Sequence, residues 1–268
     1  MARRTGTDWR RRSSDSRFTL DLASHLADIS RPPAMPAQWH CEVACVLADN
    51  AAIGGDFTVF AHRGSTLRAM LVDTSGKGQE AATRAVMLAG AINVVLAELS
   101  IDAVLPAVNR HVQRLGEDEN FATAVLLEVD LDSGSFLLGN AGHPEPAQFV
   151  AGSGVWRKYA TTGPALGFFD EADWELVPGR LQVDDALLLV TDGVVEVPGA
   201  DIDWGIDRLL GEAERLVLRG WEGGAQTLLD RRRQTGDDAQ VLLLNRTRPA
   251  YVASETVPAQ LVPAVASG

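Results

Sequence analysis

The sequence has few of the residues that staple a small extracellular protein or hold a soft metal ion. Its 268 residues include only two cysteines, Cys41 and Cys45. On one extended strand these would lie on the same face about 13 Å apart, too far to form a disulfide with each other. Two interpretations remain, a metal-binding pair and buried free thiols, and we favour the thiols.

Positive charge and long hydrophobic runs are also scarce. Lys and Arg total 24 against 36 Asp and Glu, a net charge of −12, whereas a general nucleic-acid surface needs a basic face. The longest apolar runs, 85–99 and 186–190, are shorter than the roughly 20 residues of a membrane span. No apolar segment follows the Arg-rich N-terminus as in a signal peptide. We therefore expect a cytoplasmic protein that binds neither nucleic acid nor membrane.

The chain divides into a large central domain and two shorter ends. Residues 1 to about 16 are rich in Arg, Ser and Thr without apolar periodicity, which indicates a disordered basic arm. Apolar residues between 18 and 29 predict a short amphipathic helix, a candidate surface for homodimerisation, which Pro32 and Pro33 close. The predicted segments are the arm and helix (1–37), the domain (38–246) and a flexible tail (247–268).

Within the domain, the hydrophobic periodicity changes from strands to helices and back twice. Strands are predicted at 41–47, 57–62, 67–72, 124–129, 135–140, 147–150, 156–159, 174–177, 186–190 and 240–244. Helices are predicted at 79–99, 103–115, 206–218 and 225–233, the second with Asp102 as its N-cap. Antiparallel strands around central helices predict an α+β fold, a four-layer α-β-β-α sandwich of two antiparallel sheets with helices outside.

Four aspartates occupy matching positions, at the ends of predicted strands and beside glycines. Asp56 and Asp237 begin strands, whereas Asp73 and Asp192 end them. Because strand ends gather at one edge of a sandwich, these four carboxylates are expected to converge on one cleft. Carboxylates packed together repel and raise one another's pKa unless cations neutralise them. For any one of them, a turn or N-cap role is the alternative.

The type of ligand indicates the type of metal. Carboxylate oxygens without histidine or thiolate favour Mg²⁺ or Mn²⁺ over zinc. Two such ions would bind a shared water, lower its pKa and orient it for in-line attack on phosphorus. Such a site needs no nucleophile from the protein.

Seven short motifs follow one another between about residues 39 and 245. They are Gly54-Gly55-Asp56-Phe57, Asp73-Thr74-Ser75-Gly76-Lys77-Gly78, Phe121-Ala122-Thr123, Asn140-Ala141-Gly142-His143-Pro144, Gly163-Pro164-Ala165-Leu166-Gly167, Thr191-Asp192-Gly193 and Gly236-Asp237-Asp238. In this order they resemble the PPM (type 2C) metal-dependent Ser/Thr protein phosphatases, in the bacterial branch typified by stage II sporulation protein E.

The resemblance implies roles for individual residues. Asp73 would bridge two cations, with Asp56 and the carbonyl of Thr74 on one of them. Asp192 and Asp237 would bind the other ion, and Asp238 is the alternative to Asp237. The implied reaction is hydrolysis of phosphoserine or phosphothreonine on a protein. The implied substrate is a phosphorylated anti-anti-sigma factor of the STAS type, in sigma-factor and stress-response signalling.

The chain also departs from the family pattern near the implied metals. Thr58-Val59 stands where the family usually has Tyr-Asp, and Val72 stands where it usually has Gly. These departures keep a second hypothesis open: a catalytically weak domain of the same fold that acts as a regulatory protein-binding module.

Two further residues have open roles. His143 is either a general acid or part of a structural turn over 140–144, and we favour the turn because the metal mechanism needs no histidine. Lys77 either lies near the substrate phosphate or only begins the next helix.

Overall fold

The computed structural model describes residues 8–48, 53–76, 78–115, 121–160, 163–232 and 236–248. The strands are β1 (Trp39–Val46), β2 (Asp56–Arg63), β3 (Thr66–Thr74), β4 (Ala122–Asp130), β5 (Ser135–Ala141), β6 (Ala147–Val150), β7 (Val155–Lys158), β8 (Leu176–Arg180), β9 (Ala186–Val190) and β10 (Ala239–Arg246). The helices are α1 (Asp8–Ile29), α2 (Gly78–Glu98), α3 (Ile101–Arg114), α4 (Asp192–Val195), α5 (Ile202–Val217) and α6 (Gly224–Arg231).

The strands form two antiparallel sheets of five. One sheet has the order β1-β10-β9-β6-β7 and the other β2-β3-β4-β5-β8. Side chains alternate between the two faces of each strand. In β9, Leu187 and Leu189 therefore point into the core between the sheets, where they join Leu71 and Leu127 of the facing sheet.

The outer face of each sheet is covered by helices. Leu188 and Val190, the alternate residues of β9, belong to an outer core with α4, α5 and α6. Met70 and Val72 of β3 belong to a second outer core with α1, α2 and α3. The four layers are thus helix, sheet, sheet and helix, so the predicted α+β sandwich is confirmed.

The stretch Ala81–Glu98 of α2 is long and apolar enough to cross a membrane on length and composition alone. In this structure α2 packs against β2, β3, α1 and α3. Ala85, Ala89 and Ile92 are fully buried there. The apolar character of α2 therefore supplies the outer core of the domain.

Helix boundaries differ from the predictions at two places. Helix α1 begins at Asp8, so the predicted disordered arm is wrong for residues 8–16. Residues 8–17 contain four arginines and no Pro or Gly, and Arg is a good helix former. Helix α3 begins two residues earlier than predicted: its N-cap is Ser100, and Asp102 lies in the first turn, where an acidic side chain interacts favourably with the helix dipole.

Two smaller predictions are also corrected. Strand β8 is displaced towards the C-terminus because Trp174, at the start of the predicted strand, packs on the helical outer core and donates its indole N–H to the carbonyl of Pro164. Cys41 and Cys45 are free thiols on β1, but Cys41 is half-buried and Cys45 is exposed, so they are not both core residues. The predicted tail beyond Arg248 lies outside the described residues.

Candidate functional site

Two of the predicted aspartates face each other directly in the sheet. Asp56, the first residue of β2, pairs with Asp73 near the end of β3. On its other side Asp73 pairs with Thr123 of β4. Asp56 is buried, and Asp73 is half-buried. The ladder therefore places two carboxyl groups side by side at one end of the sheet.

The other predicted aspartates act on this pair through their charges. Burial, followed by the charge of Asp192, raises the pKa of Asp73 to about 7. A hydrogen bond with Asp56 partly opposes this rise, and the charges of Asp237 and Asp238 add smaller increases. Burial also raises the pKa of Asp56, and the charge of Asp73 is the next largest cause of that rise. Charges of residues more than a hundred positions apart in the chain thus act on one another at one end of the sandwich.

Asp237 and Asp238, the two candidate cation ligands just before β10, have different surroundings. The carboxylate of Asp238 accepts hydrogen bonds from the backbone N–H groups of Ala48 and Gly55, both at 2.7 Å. The carboxylate of Asp237 accepts the N–H of Asp238 at 3.0 Å. Asp238 therefore ties the loop ahead of β2 to the start of β10, which favours Asp237 as the cation ligand of the two.

Thr191 was missed as a site residue. Its hydroxyl donates to Oδ2 of Asp56 at 2.7 Å and accepts the backbone N–H of Gln240 at 2.8 Å. This hydrogen bond opposes the rise in the pKa of Asp56 and fixes the orientation of its carboxylate. The only signal in the sequence was position, since Thr191 directly precedes Asp192.

Glycines allow the strand ends to approach one another. A Cβ on Gly193 would lie 1.9 Å from the carbonyl oxygen of Asp238, and one on Gly55 would lie 2.9 Å from the carbonyl oxygen of Thr74. Neither position has room for a side chain. The carbonyl of Thr74, the predicted backbone ligand, is therefore packed against the backbone that leads to Asp56.

The loop after β3 is held by neighbouring elements. Ser75 donates its N–H to the carbonyl of Phe121 at 3.0 Å, and its Oγ accepts the N–H of Phe121 at 3.1 Å. Arg84 of α2 donates to the carbonyl of Ser75 at 3.2 Å. Lys77, in the same motif, lies outside the described residues.

An open cavity of about 280 Å³ lies beside Asp192 and is lined in part by Thr123, His143, Glu196 and Asp203. His143 and Asn140 exchange two hydrogen bonds that close the turn, with N···O distances of 2.8 and 2.9 Å. Burial lowers the pKa of His143 to about 3. A histidine that stays neutral at pH 7 is a poor general acid, which supports its structural role.

The residues that depart from the family pattern are part of the buried framework. Thr58 is buried and donates its hydroxyl to Oε1 of Gln240 at 2.8 Å. Val59 and Val72 are fully buried in the outer core beside the helices. These three side chains therefore support the strands that carry Asp56 and Asp73.

The donor set fits a hard divalent cation. Apart from burial, the pKa values of Asp56 and Asp73 are shifted by other acids and by one threonine hydroxyl, so negative charge is concentrated at this point. Oxygen donors of this kind suit Mg²⁺ or Mn²⁺. Among the described residues, however, no three His, Cys, Asp or Glu side chains form a ready-made cage for a metal ion. Asp56 and Asp73 are instead paired neighbours joined by a side-chain hydrogen bond.

Comparisons with known proteins agree with this architecture. The family model of stage II sporulation protein E (SpoIIE) matches residues 63–247. Two curated relatives from Bacillus subtilis (strain 168) are the phosphoserine phosphatases RsbP and RsbU. RsbP is 31% identical over 37% of this chain and 25% of its own length. RsbU is 22% identical over 66% of this chain and 53% of its own length.

A solved structure of the RsbU and RsbW domains of Rv1364c from Mycobacterium tuberculosis superposes with a TM-score of 0.68 and 26% identity, over 78% of this chain and 60% of that one. The chain spans about half or less of the length of the curated relatives it matches. The family model nevertheless covers well over half of this chain. The chain therefore belongs to the stage II sporulation protein E (SpoIIE) family, within the PPM (type 2C) phosphatases that its motifs resemble.

Proposed function

We propose that this domain hydrolyses phosphoserine or phosphothreonine on a protein, by means of a water activated between two divalent cations, Mn²⁺ or Mg²⁺. The observation that carries the proposal is the facing pair of Asp56 and Asp73, whose pKa values rise because further aspartates surround them. A protein does not gather uncompensated buried carboxylates without a partner of opposite charge. A cation supplies that charge.

Each residue of the site has a separate task in this proposal. Asp73 would be the ligand shared by the cations, Asp56 and the Thr74 carbonyl would complete the set for one of them, and Asp192 and Asp237 would complete the set for the other. When bound, two divalent cations lower the pKa of a shared water and neutralise the charge that develops on the phosphoryl oxygens.

The remaining polar residues keep this arrangement in place. Thr191 holds one oxygen of Asp56 and so restricts the orientation of its carboxylate. Asp238 fixes the chain before β2. A leaving serine or threonine hydroxyl takes its proton from water at the open cavity beside Asp192, since neutral His143 has none to spare at pH 7.

The proposed substrate is a phosphorylated anti-anti-sigma protein of the STAS type. Both curated relatives are named phosphoserine phosphatases, and the solved relative carries an RsbW domain beside its RsbU domain. Membership of this family supports a role in the partner-switching control of sigma factors. Cytoplasmic location, the three domain boundaries and homodimerisation through the N-terminal helix stay predictions.

The test is hydrolysis of p-nitrophenyl phosphate at pH 7.5 with and without 2 equivalents or more of Mn²⁺. We expect activity that EDTA abolishes, and that Asp73→Asn and Asp192→Asn each lower by at least about 100-fold, since each removes a carboxylate that would hold the cations, and the cations neutralise the charge of the transition state. Asp132→Asn, an exposed acid in the turn after β4, is the matched control and is expected to retain activity.

Manganese binding, measured by calorimetry, gives a readout that does not depend on turnover. The wild-type protein is expected to bind Mn²⁺ and the Asp73→Asn variant to bind it much more weakly. Equal activity and equal binding in the wild type and both site variants would remove the basis of the proposal. Binding without activity would favour the catalytically weak, partner-binding alternative.

A further inference from the structure

Three exposed phenylalanines form one cluster, the phenylalanine patch, made of Phe121, Phe168 and Phe169. Their side chains are 37%, 60% and 57% exposed. The ring of Phe168 lies 5.0 Å from that of Phe121 and 6.4 Å from that of Phe169, centroid to centroid. Single exposed apolar residues are common, but a contiguous aromatic cluster marks an interaction surface more often than not.

The patch is held rigidly. Asn109 of α3 is buried, and its amide accepts the N–H of Gly167 at 2.7 Å and donates to the carbonyl of Phe169 at 2.9 Å. Leu166, just before the patch, exchanges two backbone hydrogen bonds with Ala122. The buried side chain of Asn109 thus fixes the backbone on both sides of Phe168, so the exposed rings of Phe168 and Phe169 are held in place.

The patch adjoins the proposed catalytic residues. The backbone of Phe121 is paired with Ser75, two residues after Asp73. Thr123, two residues after Phe121, stands opposite Asp73 in the sheet. Two residues of extended chain span about 7 Å. A protein that brought a phosphorylated side chain to Asp73 would therefore come close to Phe121, the member of the phenylalanine patch that begins this stretch of chain.

Acidic residues border the patch on its far side. Asp170, Glu171 and Asp173 follow Phe169 directly and are all exposed. Aromatic centres with a charged rim are the usual composition of protein interfaces. The complementary partner has an apolar centre with basic side chains around it, next to the phosphorylated residue.

We propose that the phenylalanine patch is the docking surface for the phosphoprotein substrate, a phosphoserine-bearing STAS protein with an apolar, basic-rimmed surface beside its phosphorylated serine. The inference rests on the proposed function, which it extends from the reacting phosphate to the recognition of the protein that carries it. Aryl phosphates reach the carboxylate cluster alone, whereas the protein substrate needs both.

The test compares two substrates in the same variants. The probes are p-nitrophenyl phosphate and the serine-phosphorylated STAS proteins encoded in the same genome, each with saturating Mn²⁺. For the Phe168→Ser/Phe169→Ser double variant, we expect the ratio of kcat/KM for the phosphoprotein to kcat/KM for the aryl phosphate to fall at least about 30-fold, mainly through KM, because aromatic anchors dominate interface affinity.

Leu218→Ser is the matched control. Among the described residues, Leu218 is the most exposed large apolar one, at 95%. It directly follows α5, and the first residue of that helix, Ile202, lines the cavity beside Asp192. Sixteen helical residues place it about 24 Å from that end. Its substitution is expected to leave the substrate ratio unchanged, which separates docking from a general loss of exposed apolar surface.

A second measurement does not depend on catalysis. In an Asp73→Asn background, binding of the fluorescently labelled phosphoprotein is expected to weaken at least about tenfold when Phe168 and Phe169 are replaced. Asn109→Ala, which releases the loop while keeping both rings, is expected to weaken binding by a smaller factor, since the patch is no longer held in place.

The outcomes separate this inference from the function beneath it. An unchanged substrate ratio, or aryl phosphatase activity with no turnover of any STAS phosphoprotein, would overturn the docking surface and leave the hydrolase intact. Loss of all Mn²⁺-dependent hydrolysis in the wild type would overturn both. If the double variant instead turns a dimer into a monomer in sedimentation, the patch is covered by a second copy, and the docking assignment is wrong.

Discussion

Asp73 and Asp130 lie at opposite ends of the same pair of strands, β3 and β4, and behave in opposite ways. Hydrogen bonds from the hydroxyl of Ser133, from its N–H at 2.7 Å and from the hydroxyl of Ser65 at 2.9 Å lower the pKa of Asp130. Asp73 is surrounded by acids, and its pKa rises to about 7. Both residues follow an apolar strand. What distinguishes a cation site from a turn is therefore whether donors or other acids face the carboxylate.

The strongest test of this difference is the response of each end to a divalent cation. A ligand that binds only the folded state at about 1,000 times its Kd adds about 4 kcal/mol of stability. For a domain of this size we expect saturating Mn²⁺ to raise the Tm by roughly 8–16 °C. Asp73→Asn is expected to lose most of that shift in differential scanning fluorimetry.

Asp130→Asn supplies the matched control for the cation response. It lowers the Tm of the metal-free protein because the turn loses a charged acceptor, yet the increment on adding Mn²⁺ is expected to stay as in the wild type. A cation response that survived in Asp73→Asn and vanished in Asp130→Asn would reverse the comparison between the two ends.

The second test is the pH dependence of the metal-free protein. The pKa of Asp73 is about 7 in the folded state against an ordinary 3.8, so between these values the folded state binds more protons than the unfolded state. The contribution of Asp73 to stability should therefore fall as pH rises, by roughly 3 kcal/mol between pH 4.5 and 7.5. Buried His143, whose pKa is lowered, contributes with the opposite sign over part of that range. The measured quantity is therefore the difference in stability between the wild type and Asp73→Asn, obtained by urea unfolding in EDTA, and this difference should fall by that amount.

Asp130 predicts the opposite sign over a different range. Its folded pKa is lowered, so its contribution is present above the ordinary value of 3.8 and is lost as pH falls through the lowered one. Asp130→Asn should consequently leave the slope between pH 4.5 and 7.5 unaltered. A difference in stability between the wild type and Asp73→Asn that rose with pH over that range would show that other groups compensate the repulsion around Asp73.

The third test concerns the close packing that brings the acids together. Gly193→Ala would place a methyl group 1.9 Å from the Asp238 carbonyl oxygen, and we expect it to cost about 2–3 kcal/mol and to weaken Mn²⁺ binding. Gly211→Ala, in the middle of α5 with nothing within 4 Å of its Cβ, is expected to be neutral or stabilising by about 0.5–1 kcal/mol. Chemical unfolding of both variants decides this, and equal effects would contradict it.

Much of the architecture could be read from periodicity. The ranges of β6 and β9 were predicted to the residue, and the period-two alternation of β9 separates the inner core from the outer one. Helix α1 was the main failure, because the Arg-rich segment lacks an apolar stripe and local composition favoured disorder. A helix of good formers needs no stripe to be helical.

The site was only half readable for a physical reason. Strand-end positions identified Asp56 and Asp73, since the sandwich collects strand ends at one edge. The same reasoning alone does not separate them from Asp130: its donor Ser133 is local, but its second donor, Ser65, is 65 residues away in the chain. Thr191 was missed for the same reason: it bonds to Asp56 across 135 residues. Donors brought by tertiary folding carry no local signal.

The smallest expected effect comes from removing the Thr191 hydroxyl, which donates to Asp56. Thr191→Val keeps the shape of the side chain but loses the hydrogen bond to Asp56 and the acceptor of the Gln240 N–H. Residues that orient metal ligands typically contribute 10–100-fold to affinity. We expect about tenfold weaker Mn²⁺ binding by calorimetry and about 1–2 kcal/mol lower stability.

Two variants show whether the hydroxyl or the size of residue 191 is responsible. Thr191→Ser keeps the hydroxyl and should restore most of the Mn²⁺ affinity. Thr227→Val removes a hydroxyl on the outer surface of α6 that donates to the Gly223 carbonyl, and it should change neither Mn²⁺ affinity nor stability. If Thr191→Val bound Mn²⁺ as tightly as the wild type, Asp56 would need no donor to be oriented. Cation binding would then depend on the carboxylates themselves, because the hydroxyl of Thr191, which opposes the rise in the pKa of Asp56, would have no effect on it.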